Sequence, residues 1–385
     1  MGSFLAPAVA SFAFPALLVA GVLSLAASEA QRTPRLKPIG SEALPFSPTA
    51  RFALGAEVTG RPAYGPDGGV YVGAQNGFLY ALDATLRLQW KRDLGAPIYG
   101  GVLLTPEGTL YVGTEGKVLW SFDRRGNLLR KTTLDAPIET TPAWSNRGHI
   151  IVTVGREVVA LGPDGAIVFR ARAWGKFLSN PIVDDEGGVY AGSQDGNFYA
   201  FGADGVERFR VHPGPAIDSD AVLGPEGSSF FADTQGRVHA IDEWGEIRWA
   251  VALGSAVRAP LARGPNDTLL ALTQGPRVCL FVLAMESGHI LAKHVIALTD
   301  SEDSRVPSGP TVDAGGRVWF GGPSDKLWLL ATLRGPARSL ALPAPLSARP
   351  WIGESGNLLM TESTGELVLG RVGVIPSLLP GAKSL

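Results

Sequence analysis

Between Gly69 and Trp90 the chain reads GVYVGAQNGFLYALDATLRLQW. Two apolar runs, Val70 to Gly73 and Phe78 to Asp83, flank Asn76-Gly77, a pair that tolerates the positive φ angles of a two-residue hairpin turn and so favours antiparallel pairing. A polar corner follows, then a third run carrying Trp90. The rest of the chain is this unit repeated with substitutions.

From Arg51 to Gly370 the pattern returns about every 40 residues, a period typical of stacked supersecondary units. One column reads Val58, Ile98, Ile138, Phe177, Ile217, Val257, Val306 and Leu346, all apolar. Ten residues after each comes Gly68, Gly108, Gly148, Gly187, Gly227, Asp267, Gly316 or Gly356, as expected where the backbone turns with φ above zero. A second turn falls at Asn76-Gly77, Glu115-Gly116, Asp195-Gly196, Gln235-Gly236, Gln274-Gly275 and Thr364-Gly365. A third corner precedes the last run at Gly126, Gly165, Gly205, Gly245, Gly288 and Gly335. Four strands per repeat joined by tight connections predict an all-β, eight-bladed β-propeller of four-stranded blades. A helical solenoid would show 3.6-residue apolar spacing, which is absent.

Closure of the ring is also predicted. The fourth strand of a repeat ends in a leucine four residues before the apolar column, as in Leu94 to Ile98, Leu134 to Ile138, Leu253 to Val257 and Leu342 to Leu346. Leu54 to Val58 is the same motif with no earlier repeat to supply it. Arg51 to Gly55 is therefore expected to be the missing fourth strand of the last blade.

Composition narrows the function. With 385 residues the chain is long enough for two ordinary domains or one large all-β domain, and 49 glycines and 29 prolines favour many short turns. A net charge of −2 offers no basic field for nucleic acid. The single cysteine, Cys279, excludes an intramolecular disulfide and a cysteine-based zinc site, and its apolar surroundings mark it as a core residue. Gly2 to Ser28 carries no charge and is rich in Ala, Leu, Val and Phe. Residues 1–30 are read as a signal peptide or membrane anchor, which implies an exported protein of the periplasm, cell envelope or exterior. Residues 31–50 follow as a Pro-rich linker, 51–370 as the propeller and 371–385 as a tail.

The pattern VYVGxxxGxLYALDxxxxxxxW, complete at Val70 to Trp90 and recognisable from Arg237 to Trp249, resembles the tryptophan-docking repeat of the PQQ-like β-propellers. That family includes quinoprotein alcohol dehydrogenases and the propeller lipoprotein of the bacterial outer-membrane β-barrel assembly machinery. The resemblance implies that Asp83 with Trp90, and Asp242 with Trp249, serve structural docking between blades. The docking column continues through Arg130, Phe169 and Phe209, with looser blade contacts expected at Arg130. The dehydrogenases carry adjacent cysteines beside the quinone and a calcium site, and this sequence has neither pattern. No catalytic, cofactor-binding or metal-binding residue is assigned. The five histidines are scattered over different repeats and are expected at surfaces or edges.

A ligand or partner is expected on the face formed by the connections from one blade to the next. There Glu139, Asp218 and Asp220 make an acidic arc and Arg258, Arg349 and Arg61 a basic one, with Tyr99 and Asn180 between them. An acidic loop, Asp300 to Arg305, fills the one irregular spacing and is read as a solvated charged loop, the alternatives being a partner-docking loop or a weak cation site at Asp300, Glu302 and Asp303. The function read from these features is a non-catalytic protein-interaction scaffold in the cell envelope, its partner another envelope protein or peptide. The alternatives are a quinone-dependent dehydrogenase-like enzyme and a carbohydrate- or wall-binding module using Tyr99, Trp144, Trp174 and Trp351.

Overall fold

The structure, a computed structural model, describes residues 46–298, 308–322, 325–353 and 356–372. The expected signal segment, most of the linker, the acidic loop with Asp300, Glu302 and Asp303, the column position Val306 and the tail beyond residue 372 lie outside the described residues.

Eight antiparallel four-stranded sheets form the ring. Blade one is Ala63–Tyr64, Val70–Gly73, Phe78–Leu82 and Leu88–Asp93, hydrogen-bonded in chain order from the innermost strand outward. Blades two to seven repeat this order, the sixth with the longest outer strands, Arg277–Ala284 and Ile290–Leu298. Blade eight takes Trp351–Ile352, Asn357–Thr361 and Glu366–Val372 from the end of the chain and Phe46–Ala53 from its beginning. Arg51 lies opposite Val368, and the Leu54 amide donates to the Gly365 carbonyl at 2.8 Å, as Leu94 donates to Gly77 in blade one at 2.9 Å. The orphan leucine motif thus belongs to the last blade. Its strand begins at Phe46, so the last five residues read as linker belong to the sheet, all but Thr49 paired across it.

The apolar strands follow from stacking. Each blade is buried on both faces, so Val70 and Val72 pack toward blade eight while Tyr71 and Ala81 pack toward blade two. Eight hydrophobic clusters result, one at each junction between neighbours, and the cluster joining Leu359 and Leu367 to Val70 and Leu82 closes the ring. The outer strands are the exception, exposed at their start and at alternate positions beyond it. Leu128, Leu129, Ile167 and Val168 are exposed there.

The turns differ in detail from the two-residue hairpin expected at Asn76-Gly77. The loop is Ala74 to Gly77, closed by Gly77 N–H donating to the Ala74 carbonyl at 3.0 Å, and Gly77 alone takes positive φ, 84°. A type I turn followed by a left-handed glycine matches strand twist as well as the mirror-image turn and leaves Asn76 unstrained. The first-turn column behaves uniformly. All eight of its members have φ between 50° and 88°, with Asp267 adopting at 50° what glycine does elsewhere.

Candidate functional site

The blade-to-blade connections are pinned at both ends, which fixes where their side chains point. In blades one, two, five, seven and eight the leucine that ends the outer strand bonds to its own blade's second turn, as Ala173 does in blade three, and the second turn reaches back to the connection leading into its blade. Glu115 N–H donates to Pro97 O at 2.9 Å, Gln194 N–H to Lys176 O at 2.9 Å and Thr234 N–H to Ala216 O at 2.9 Å. The apolar column residue next in line is buried, with Ile98, Ile138 and Ile217 at 0% exposure. The three residues that follow are thereby delivered to the channel mouth. Antiparallel order puts the second turns on this same face and the third corners on the opposite one.

The mouth encloses a cavity of about 360 Å³ lined by Thr59, Gly60, Arg61, Tyr99, Gly100, Glu139, Thr141, Pro142, Leu178, Asn180, Pro181, Asp220, Pro260 and Arg349. The third residue of each connection builds a hydrogen-bonded belt round its wall. Gly101 N–H donates to Thr141 Oγ1 (2.8 Å), Thr141 N–H to Asn180 Oδ1 (2.6 Å), and Asn180 N–H and Nδ2 to the two carboxylate oxygens of Asp220 (2.8 Å each). Beyond Asp220 the positions are Pro260 and Gly309, which have no side-chain donor, and Arg349 reaches across them to donate Nη2 to the Leu261 carbonyl at 2.8 Å. Burial pushes the Arg349 guanidinium well below the usual arginine range, to about 10, with Asp220 acting against the shift and Arg61 adding to it. Its Nε is buried without a hydrogen-bond partner.

Six of the eight residues proposed from the sequence for this face meet at the cavity: Arg61, Tyr99, Glu139, Asn180, Asp220 and Arg349. Asp218 and Arg258 are not part of the lining. Both are first residues of their connections, Arg258 exposed and Asp218 half-buried with Oδ1 unpartnered. The acidic arc is also weaker than its sequence suggests, because Lys176 pairs with Glu139 at 2.5 Å and Asn180 saturates Asp220. Sequence reasoning missed Thr141 in the belt and the ion pair from Lys176. The spacing held the signal for the first, since the belt is simply every third connection residue.

Among the aromatics noted for a carbohydrate module, Trp174 is 67% exposed and is crossed by the Arg210 guanidinium 4.2 Å from the ring centroid. Trp351 instead stacks on Tyr64 at 4.1 Å, and Trp144 packs against the core between blades two and three. Among the described residues no three His, Cys, Asp or Glu side chains converge as metal ligands. His239 corrects the expectation of peripheral histidines. It is 2% exposed, bonds Asp233 Oδ2 through Nε2 at 3.0 Å and stacks on Phe231. Burial holds it below the usual histidine range. It fits because Asp233, which also caps its own turn through Gln235 and Arg237 N–H, gives the ring a buried acceptor.

Trp90 and Trp249 each donate Nε1 to the third corner of the next blade, at Arg124 O (3.0 Å) and Met285 O (2.9 Å). Their rings lie flat on that corner's glycine: a Cβ on Gly126 would come within 2.6 Å of Trp90, and one on Gly288 within 2.6 Å of Trp249. Phe169 covers Gly205, Phe209 covers Gly245, and Arg130 covers Gly165 in the same manner, with a void of about 10 Å³ left beside Arg130. Asp83 and Asp242 do not touch the tryptophans' partners. They cap their own corners, Asp83 Oδ1 accepting from Thr85 and Arg87 N–H and Asp242 Oδ1 from Trp244 and Glu246 N–H.

Residues 47–129 and 116–216 each match the family model described as outer membrane protein assembly factor BamB. Among solved structures the chain is similar to BamB from Moraxella catarrhalis, at 16% identity over 85% of this chain and 99% of that one, with a TM-score of 0.71. It is similar to the computationally designed Ika8 protein at 13% identity over 84% of this chain and 99% of that one, TM-score 0.72. Against the quinohemoprotein alcohol dehydrogenase from Comamonas testosteroni the identity is 12% over 88% of this chain and 79% of that one, TM-score 0.71. No curated protein sequence matches the chain. At these identities the structural likeness is one of fold, a β-propeller, and the repeat match to the PQQ-like family spans residues 47–216.

Proposed function

We propose that this PQQ-like repeat propeller is a non-catalytic scaffold of the cell envelope that docks a protein involved in outer-membrane protein assembly on its channel-mouth face. The observation that carries the reading is the connection from Ala173 to Pro181. It places Trp174, 67% exposed, and Leu178, 38% exposed, on the mouth face beside the Lys176–Glu139 ion pair. A large aromatic and an aliphatic side chain ringed by charge is the usual make-up of an interface anchor. The match of residues 47–216 to an assembly-factor family supports the choice of partner. Export fits the uncharged leading segment.

The test is site-specific photocrosslinking in cells. A photoreactive residue at Trp174 or Leu178 is expected to give discrete adducts with an envelope protein, whereas one at Trp244, 72% exposed on the opposite face, is not. Equal crosslinking from both faces, or stoichiometric binding of quinone with Ca²⁺ that raises the melting temperature, would overturn the scaffold reading.

A further inference from the structure

We propose that Arg61 and Arg349 form a seat in the channel mouth for one singly charged carboxylate group. The two side chains come from the first and last connections of the ring, which the closing blade makes neighbours, and both line the same cavity. Arg349 is held in place from behind. Its Nη2 is bound by Leu261 O, and its Nε lies so close over Gly309 that a Cβ there would sit 2.8 Å from it. The guanidinium is thus preorganised from the wall side, where Nε is buried against Gly309 without a partner. Two like charges facing one cavity, one of them half-buried, favour an anion between them.

The surrounding charges set the valence. Glu139 is already paired with Lys176 at 2.5 Å, so it contributes no net charge. Asp220 is the remaining carboxylate of the lining, and both its oxygens accept from Asn180 rather than from arginine. Two guanidiniums against one carboxylate leave a single positive charge, which a carboxylate balances and a phosphate dianion overshoots. A cavity of about 360 Å³ falls within the size of small-ligand sites. The carboxylate belongs either to a free small acid or to an acidic side chain of a docked protein. The inference deepens the scaffold reading in the second case but stands on the channel's own residues in both.

Calorimetric titration of the full chain tests it, at constant ionic strength in chloride, with acetate, inorganic phosphate, a capped tripeptide carrying one central glutamate, and its glutamine counterpart. Saturable binding of acetate and of the glutamate peptide is expected, with none for the glutamine peptide. Arg61→Gln and Arg349→Gln should each weaken binding about tenfold or more, the worth of a hydrogen-bonded charged contact. Tighter binding of the peptide than of acetate assigns the seat to a partner's side chain, and equal binding assigns it to a free acid. Absence of saturable carboxylate binding, preference for phosphate, or unchanged affinity in Arg61→Gln would overturn the proposal. Arg61 is exposed, so its variant keeps the test readable if Arg349→Gln fails to fold. Loss of the Trp174 crosslink with carboxylate binding intact would instead count against partner docking alone.

Discussion

Glu362 is a buried, unpartnered carboxyl in the last blade, and replacing it with threonine should stabilise the ring. It opens the second turn of blade eight, its backbone N–H donating to Glu366 O at 2.8 Å. The residue is 1% exposed, and neither carboxylate oxygen has a hydrogen-bond partner. In blade two the same position is Thr114, whose Oγ1 donates to Val118 O at 3.2 Å across the turn. A buried polar group left unsatisfied costs about 1–3 kcal/mol, and one side-chain hydrogen bond returns about 1 kcal/mol, so Glu362→Thr should gain about 2 kcal/mol at neutral pH. With an unfolding entropy of about 2.1 cal/mol/K per residue over roughly 320 residues, that corresponds to a rise of about 3 °C in Tm. The effect must depend on pH. Burial, with Glu366 adding and Arg51 opposing, holds the Glu362 carboxyl above the usual glutamate range. The folded state therefore binds its proton more tightly than the unfolded state, so the wild type loses stability as pH rises through the folded pKa and is free of the penalty below the unfolded one. Thermal unfolding of both proteins at pH 7 and near pH 4 checks this. A variant no more stable than wild type at pH 7, or an equal gain at both pH values, would refute the reasoning.

Four further outcomes are expected. Gly126→Ala should destabilise by about 1–2 kcal/mol or more in denaturant titrations, because the residue has φ of 80° and its new methyl would press on the Trp90 ring; Trp90→Ala should cost about 3–5 kcal/mol through the cavity it leaves. Cys279, 2% exposed with its thiol pushed above the usual range by burial, should resist a thiol reagent until the chain is unfolded in denaturant, and rapid labelling of the native protein would contradict its placement. Disrupting the closing strand with Phe52→Pro should abolish cooperative thermal unfolding, since proline removes a ladder bond and Phe52 packs in the cluster joining blades eight and one.

The ring was legible because a repeat writes each structural requirement eight times. The turn column and the leucine motif identified both the strand count and the borrowed strand, since Leu54 had no other blade to end. The site was legible only in part. Arg61, Asn180, Asp220 and Arg349 could be placed at the mouth from their position in the repeat, but Arg258 and Asp218, adjacent in the same connections, could not be set apart from them. Whether a first or a third connection residue reaches the channel depends on how the backbone turns after the buried column residue, and one-letter spacing does not encode that. Nor does it encode that Lys176 would pair with Glu139, a contact between different connections. The peripheral histidine expectation failed at His239 for a related reason: its acceptor, Asp233, is a turn residue whose ordinary role is to cap its own loop.

The seam of the ring has a mechanical direction. Phe46 lies opposite Val372 and Ala53 opposite Glu366, so the outward ends of the two seam strands lie at the same end of the pairing. A load pulling those ends apart meets the cross-strand bonds one after another, as in opening a zip, and never in parallel as in shear. The ring resists thermal disorder through eight packed junctions. Under tension its strength is that of a few hydrogen bonds at a time, and the first event is release of the borrowed strand, which turns a closed ring into an open row of blades.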